Sequence, residues 1–232
     1  MVDPLTTMET IVCDIGETLV RDDRQWASWA DWLGVPRHTI SALVGAATVR
    51  NHDAGDALRL LRPGLDLDEA YRAREAAGHG EHLDESDLYP DVRSALADVR
   101  ALGVRVVLAG NQTHRAGELL RGLGLPADLV ATSAEWGVAK PSPQFFARVI
   151  EVAGTAPERT VYVGDHPAYD LFPARAAGLR TAHLRRGPWG YLWADAPEVV
   201  AAADWRIDGL AQLTAIAGGG TGNTPGEPDA GG

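Results

Sequence analysis

Three carboxylates and one ammonium stand just after short apolar runs, where a charge is expensive unless something uses it. Asp14 follows Thr10 to Cys13, Lys140 closes the segment Glu135 to Lys140 beyond Leu129 to Ala131, and Asp165 and Asp170 follow Thr160 to Val163. If those runs are neighbouring strands, all four groups converge on one edge. Carboxylates grouped with one lysine suit a hard divalent cation together with a phosphate. Mg²⁺ takes oxygen ligands and is commonly held by one or two carboxylates plus substrate oxygens. A lysine beside them offsets charge between an attacking carboxylate and a phosphoryl group. Lys140 is the only lysine in the chain, so it is set apart from the many arginines. A compact ammonium on a flexible stem does a different job from a planar guanidinium.

The elements that must position these groups are legible as an alternation. Apolar runs at Thr10 to Cys13, Val104 to Ala109, Leu129 to Ala131, Thr160 to Val163 and Arg180 to Leu184 are too short for buried helices and read as strands. Amphipathic stretches lie between them at Asp91 to Leu102, His114 to Leu123, Pro143 to Ala153 and Tyr169 to Ala177, each followed by glycine. Strand–helix alternation predicts an α/β fold: a parallel sheet covered on both faces, three layers deep and Rossmann-like. In such a sheet, ligands bind outside the carboxyl ends of the strands.

The alternation is broken from about Arg24 to Leu88, which holds no strand-like run. The expected organisation is an α/β core from 1–22 and 89–217, a helical insertion at 23–88, and a Gly/Pro-rich tail at 218–232 that should be disordered. Within the insertion Trp26, Trp29 and Trp32 recur every third residue, as helix core or as a surface facing a ligand, core being the commoner use. The chain has 232 residues, 45% hydrophobic, with a net charge of −11, which argues against nucleic-acid or anionic-membrane binding. Its one cysteine, Cys13, permits no intramolecular disulfide and reads as a core residue. Neither a signal peptide nor a membrane span is apparent, so a cytoplasmic protein is the expectation.

Read together, Asp14-x-x-x-Thr18-Leu19, the strand ending in Gly110-Asn111, Lys140-Pro141, and Gly164-Asp165 with Asp170 resemble the four motifs of the haloacid dehalogenase (HAD) superfamily. The resemblance spans roughly Thr10 to Leu213, and the helical insertion resembles the family's small cap. It implies a Mg²⁺-dependent phosphatase acting on a small phosphorylated metabolite, as a monomer or homodimer, through an aspartyl-phosphate. By the resemblance, Asp14 is nucleophile and metal ligand, and Lys140 holds the nucleophile and the transferring phosphoryl group. Asp165, Asp170 and the Gly16 backbone carbonyl complete the metal site, and Gly110 and Asn111 cradle phosphate oxygens.

Two positions depart from the family pattern. Its usual second aspartate, the proton carrier, is Gly16 here, and the Ser or Thr before the asparagine is Gly110. Losing a positioned general acid or base typically costs ~10²–10⁴ in rate. Glu17 and His166 are the nearby candidates for the missing proton donor. Otherwise the substrate is an acyl phosphate or has another good leaving group and needs none, or a substrate group or a cap residue supplies the proton, or the domain is catalytically silent and binds a ligand or partner. The dehalogenase branch also lacks the second aspartate but needs no metal, and the retained Asp165–Asp170 pair points away from it. The phosphonatase branch needs a cap lysine, which the insertion does not contain. Asp22 and Asp23 read as a helix start or hinge. Arg185-Arg186-Gly187-Pro188-Trp189 reads as an anion-contacting loop or as a surface turn with Trp189 packed down.

Overall fold

The structure, a computed structural model, describes residues 7–50, 52 and 55–219. Strand β1 (Thr10–Cys13) is buried at every position, and so is β4 (Thr160–Gly164). With β2 (Arg105–Gly110), β3 (Leu129–Thr132), β5 (Arg180–Leu184) and β6 (Trp205–Ile207) they form one sheet in the order β3-β2-β1-β4-β5-β6, every neighbouring pair parallel. Side chains alternate across it, as a strand's two-residue period requires. Ile11 and Cys13 join one core cluster with Val106, Leu108, Val161 and Val163. Val12 joins the other, with Val107, Phe145, Phe146 and Tyr162.

The first face is covered by α5 (Val92–Ala101) and α12 (Leu213–Ala217), the second by α8 (Pro143–Ala153). α8 shows how locally these helices are specified. Ser142 caps it by accepting from the Gln144 N–H, Pro143 opens it, and Gly154 at φ 69° ends it in the left-handed conformation. α6 (His114–Gly122) is capped by Thr113, whose hydroxyl accepts from the Ala116 N–H at 3.0 Å. A short helix α7 (Ser133–Trp136) follows β3.

Between β1 and α5 lie α1 (Asp23–Leu33), α2 (Arg37–Val49), α3 (Asp56–Leu61) and α4 (Leu67–Ala76), packed around Trp29, Leu33, Ile40, Val44 and Leu58. The tryptophan stripe divides: Trp29 is fully buried, whereas Trp26 and Trp32 are only partly so. The two connections to these helices run side by side. Val20 bridges Leu88, the Tyr89 N–H donates to the Leu19 carbonyl at 2.9 Å, and the Arg21 N–H donates to the Asp87 carbonyl at 2.8 Å.

The structure corrects the expected elements in three places. The edge strand β6 is additional; it has three residues with Arg206 in the middle, too short and too polar for a run-based reading. The helix expected at Tyr169 to Ala177 begins earlier, as a wide turn over Pro167–Leu171, and continues as α9 (Phe172–Ala176). The segment after β5 is neither a loop nor a surface turn but helix α10 (Gly187–Trp193), followed by α11 (Pro197–Ala202). Trp189 is packed down in it, and Gly190 lets it pack tightly, because a Cβ there would lie 2.5 Å from the Leu184 carbonyl oxygen. Most of the tail expected to be disordered, from residue 220 on, lies outside the described residues. Among the described residues no helix is long and apolar enough to cross a membrane.

Candidate active site

The sheet order reverses direction between β1 and β4, which is where a parallel sheet opens a crevice. Asp14 leaves β1 at that point, with its N–H on the Val163 carbonyl at 2.8 Å. Lys140 arrives from the loop beyond β3. Its Nζ is bonded to Asp14 Oδ1 and to Asp170 Oδ1, each at 2.5 Å, and all three side chains are buried. The Lys140–Pro141 peptide is cis. Asp170 sits in the wide turn after β4, and its other oxygen accepts from the His166 N–H at 3.0 Å. Such single wide turns are frequent at functional sites. Asp165 follows β4 directly, is also buried, and its Oδ2 has no hydrogen-bond partner among the described residues.

The charges are strongly coupled. Burial lifts the Asp14 carboxyl to about 6, with Asp170 adding to the lift and Lys140 opposing it. Burial, then Asp170 and Asp14, push Asp165 well above the ordinary carboxylate value. For Lys140 burial works against the charge, but Asp14 and Asp170 beside it outweigh burial and hold it above the ordinary lysine value. Three buried carboxylates share one ammonium. That leaves uncompensated negative charge, which is costly in a low-dielectric site without a further cation.

Asp14, Asp165 and Asp170 each offer an oxygen within 4.8 Å of the others. All are hard donors, and the orphaned Asp165 oxygen is the kind of atom a metal satisfies, so the residues present fit a Mg²⁺ ion. Gly16 has an ordinary backbone conformation beside them.

The other expected site residues have more particular placements. Both ends of the Asn111 amide bond the Lys140 backbone, Nδ2 donating to its carbonyl at 3.0 Å and Oδ1 accepting from its N–H at 2.8 Å. Asn111 therefore fastens the lysine loop to the end of β2. Gly110 lies so near the nucleophile position that a Cβ there would meet Asp14 Oδ1 at 2.5 Å. Glu17, at φ 52°, accepts from the Asp22 N–H at 2.9 Å with Oε1 and from the Tyr89 hydroxyl at 2.5 Å with Oε2. Its carboxylate is thus spent on the connections to the inserted helices. His166 stacks on Trp189, with centroids 5.0 Å apart, and burial pushes its imidazole down to about 3.

Several contributors escape sequence reasoning. Arg186 is not an anion contact: it donates to the Thr18 carbonyl at 2.8 Å and to Asp91 at 2.7 Å, and lies 4.1 Å over the Tyr89 ring. The Tyr162 ring centroid lies 5.8 Å from Lys140 Nζ, and the Tyr162 hydroxyl donates to the Ala109 carbonyl. Neither has a local signal, since an arginine after a strand and a tyrosine in one are both ordinary. A cavity of about 480 Å³ opens above the cluster, walled by Asp14, Asn111 and Lys140 on one side and by Trp26, Leu58 and Tyr71 of the inserted helices on the other. That is the size range of small-molecule sites.

Residues 8–178 match the family model described as haloacid dehalogenase-like hydrolase. The chain is 36% identical over 129 residues to a phosphoserine phosphatase of Thermus thermophilus, covering 54% of this chain and 49% of that protein. It is 33% identical over 144 residues to a glyceraldehyde 3-phosphate phosphatase of Methanopyrus kandleri, covering 60% and 61%. The matched stretches thus span only about half to three-fifths of these relatives' lengths. Among solved structures, a magnesium-bound HAD hydrolase from Bacillus subtilis superposes with a TM-score of 0.62 at 17% identity, over 91% of this chain and 99% of that one. With the four charged groups gathered at the carboxyl edge of a parallel sheet and most of the chain matched by the family model, this protein belongs to the haloacid dehalogenase-like hydrolases.

Proposed function

We propose that the protein is a phosphatase of small phosphorylated metabolites that works through an aspartyl-phosphate at Asp14. The observation that carries this reading is the buried Lys140 ammonium, bonded at 2.5 Å to both Asp14 and Asp170 and adjoined by the orphaned Asp165 oxygen. Asp14 Oδ attacks phosphorus and the bond to the leaving oxygen breaks, and a water then attacks phosphorus, the Asp14 O–P bond of the aspartyl-phosphate breaks and inorganic phosphate leaves. Lys140 fixes the nucleophile and neutralises phosphoryl charge, and Asn111 holds Lys140 in place. Asp14, Asp165 and the Gly16 carbonyl, with Asp170 alongside, would hold a Mg²⁺ ion, which when bound would neutralise charge on the phosphoryl oxygens. The helices over 23–88 act as a cap whose closure excludes water, the paired connections at Val20 and Leu88 being the hinge.

The test is phosphate release from a panel of phosphomonoesters and acyl phosphates, with and without Mg²⁺. Metal-dependent release from any of them is the expected result. Gly16 favours one other reading, a silent domain that binds without turnover. An inert protein across the whole panel would select it.

Metal binding also has a signature independent of activity. Because the folded Asp14 carboxyl is raised to about 6, the metal-free native state holds its proton more tightly than the unfolded chain does. Its contribution to stability therefore falls as pH rises from the unfolded value through about 6. A cation in the cluster removes that cost only where the carboxylates are ionised. At about pH 8, Mg²⁺ in ~tenfold excess over its Kd should add ~1.4 kcal/mol, or roughly 3 °C in Tm. Near pH 5 the shift should largely vanish, because protons compete for the same oxygens. Equal shifts at both pH values, read by thermal melts, would remove this cluster as the metal site.

A further inference from the structure

The proton carrier expected at position 16 is missing, yet the space its side chain would enter holds a carboxylate. A Cβ built on Gly16 would have Asp22 Oδ1 at 3.6 Å, Gln112 Nε2 at 3.6 Å and Asp22 Oδ2 at 3.8 Å as its nearest atoms. All are ordinary van der Waals distances, and Gly16 has no positive φ, so the glycine is not forced by its backbone. Asp22 stands at the N-cap of α1 but does not cap that helix with its side chain. It lines the same cavity as Asp14 and Lys140.

Its backbone is held firmly. Glu17 accepts the Asp22 N–H at 2.9 Å and is itself anchored by the Tyr89 hydroxyl, and the preceding Arg21 N–H is bonded to the Asp87 carbonyl at 2.8 Å. This explains an unusual feature of the sequence: Glu17, strained at φ 52°, serves to place Asp22. Both Glu17 oxygens are engaged, and the His166 ring is packed between Tyr169 and Trp189 with neither nitrogen hydrogen-bonded among the described residues.

We propose that Asp22 is the general acid and base of the reaction, its carboxylate reaching from the start of α1 into the place left open by Gly16. The assignment rests on the phosphatase reading. As Asp14 Oδ attacks phosphorus and the bond to the substrate oxygen breaks, Asp22 gives its proton to that oxygen, so the alcohol leaves neutral. The Asp22 carboxylate then takes a proton from water as the water oxygen attacks phosphorus. The bond to Asp14 breaks, inorganic phosphate leaves, and Asp22 is protonated again.

The experiment compares wild type, Asp14→Asn, Asp22→Asn and the double variant Gly16→Asp/Asp22→Asn with Mg²⁺, on an alkyl phosphate and on acetyl phosphate. The first needs a proton on its leaving group and the second does not. Asp22→Asn should lower alkyl phosphate turnover by ~10²–10⁴-fold. It should still become phosphorylated by acetyl phosphate near the wild-type rate, read as a burst of acetate release, and then hydrolyse slowly. The double variant should recover at least about tenfold of the lost alkyl phosphate turnover. Equal losses in alkyl phosphate turnover and in phosphorylation by acetyl phosphate, or no loss, or no recovery with Gly16→Asp, overturns the assignment. Turnover that needs Asp14 but ignores Asp22 overturns this assignment alone, whereas a wild type inert on both substrates and on the wider panel overturns the phosphatase reading with it. Should Asp22→Asn fail to fold, Asp22→Ser serves the same comparison.

Discussion

Asp14→Asn is expected to abolish turnover, by at least ~10³-fold, while leaving the metal-free protein as stable as wild type or more so. The two halves of that result have separate causes. The amide is nearly isosteric with the carboxylate but is too poor a nucleophile to form the covalent intermediate. On the stability side, the raised Asp14 value means that its ionised form is less comfortable in the fold than in the unfolded chain. Above about pH 6 that discomfort is a cost to folding, and removing the charge removes it. The Asn oxygen can still accept from Lys140, whose second partner, Asp170, remains at 2.5 Å. Repulsion between Asp14 and Asp170 disappears as well. Thermal melts without metal and initial rates with it provide the check. A variant that keeps turnover within about tenfold of wild type would rule out Asp14 as nucleophile. One that melts well below wild type at about pH 8 would contradict the electrostatic account of the cluster.

How much of this was legible beforehand follows from what local sequence encodes. β1, β2 and β4 announce themselves because a strand buried on both faces is mostly apolar, and Val12 and Ile11 serve opposite layers of the core. Once those strands are parallel neighbours, Asp14 and Asp165 must share an edge, and the convergence of the charged groups follows from topology. What a run of residues cannot display is a contact made across the fold. The segment after β5 read as a loop or turn, whereas it is helix α10, which Gly190 permits to approach the Leu184 carbonyl. Arg186 looked available to an anion, but it is committed to Thr18 and Asp91, far away in sequence. Asp22 read as a helix start, and its position is indeed an N-cap, but the geometry that turns its carboxylate toward Gly16 depends on Glu17 and Tyr89. Residues that serve a site through neighbours distant in sequence leave no spacing to read.

Lys140→Met should fail in both respects, losing turnover by at least ~10²–10³-fold and stability by ~3–5 kcal/mol, which for a chain of this size is a fall of roughly 10 °C. Methionine fills much of the same slot, so packing is largely kept and the loss isolates the charge. Without the ammonium, Asp14, Asp165 and Asp170 remain buried together with no cation of the protein's own. The raised folded values of Asp14 and Asp165 then rise further, because the opposing attraction of Lys140 has gone. It follows that the deficit depends on pH in a definite direction. At about pH 8 an ionised Asp14 bears the full cost, and as pH falls through its raised value it takes up a proton and the cost shrinks. Melting curves for the variant and wild type should therefore converge toward about pH 5, and Mg²⁺ should recover part of the gap at about pH 8. Lys140→Arg does not escape this outcome. The slot is only 4% exposed, and a planar guanidinium cannot reproduce one compact charge bonded to two carboxylates at 2.5 Å. A methionine variant that melts with wild type at about pH 8 would mean that Lys140 does not hold the cluster together, and the role proposed for it in catalysis would fall with that finding.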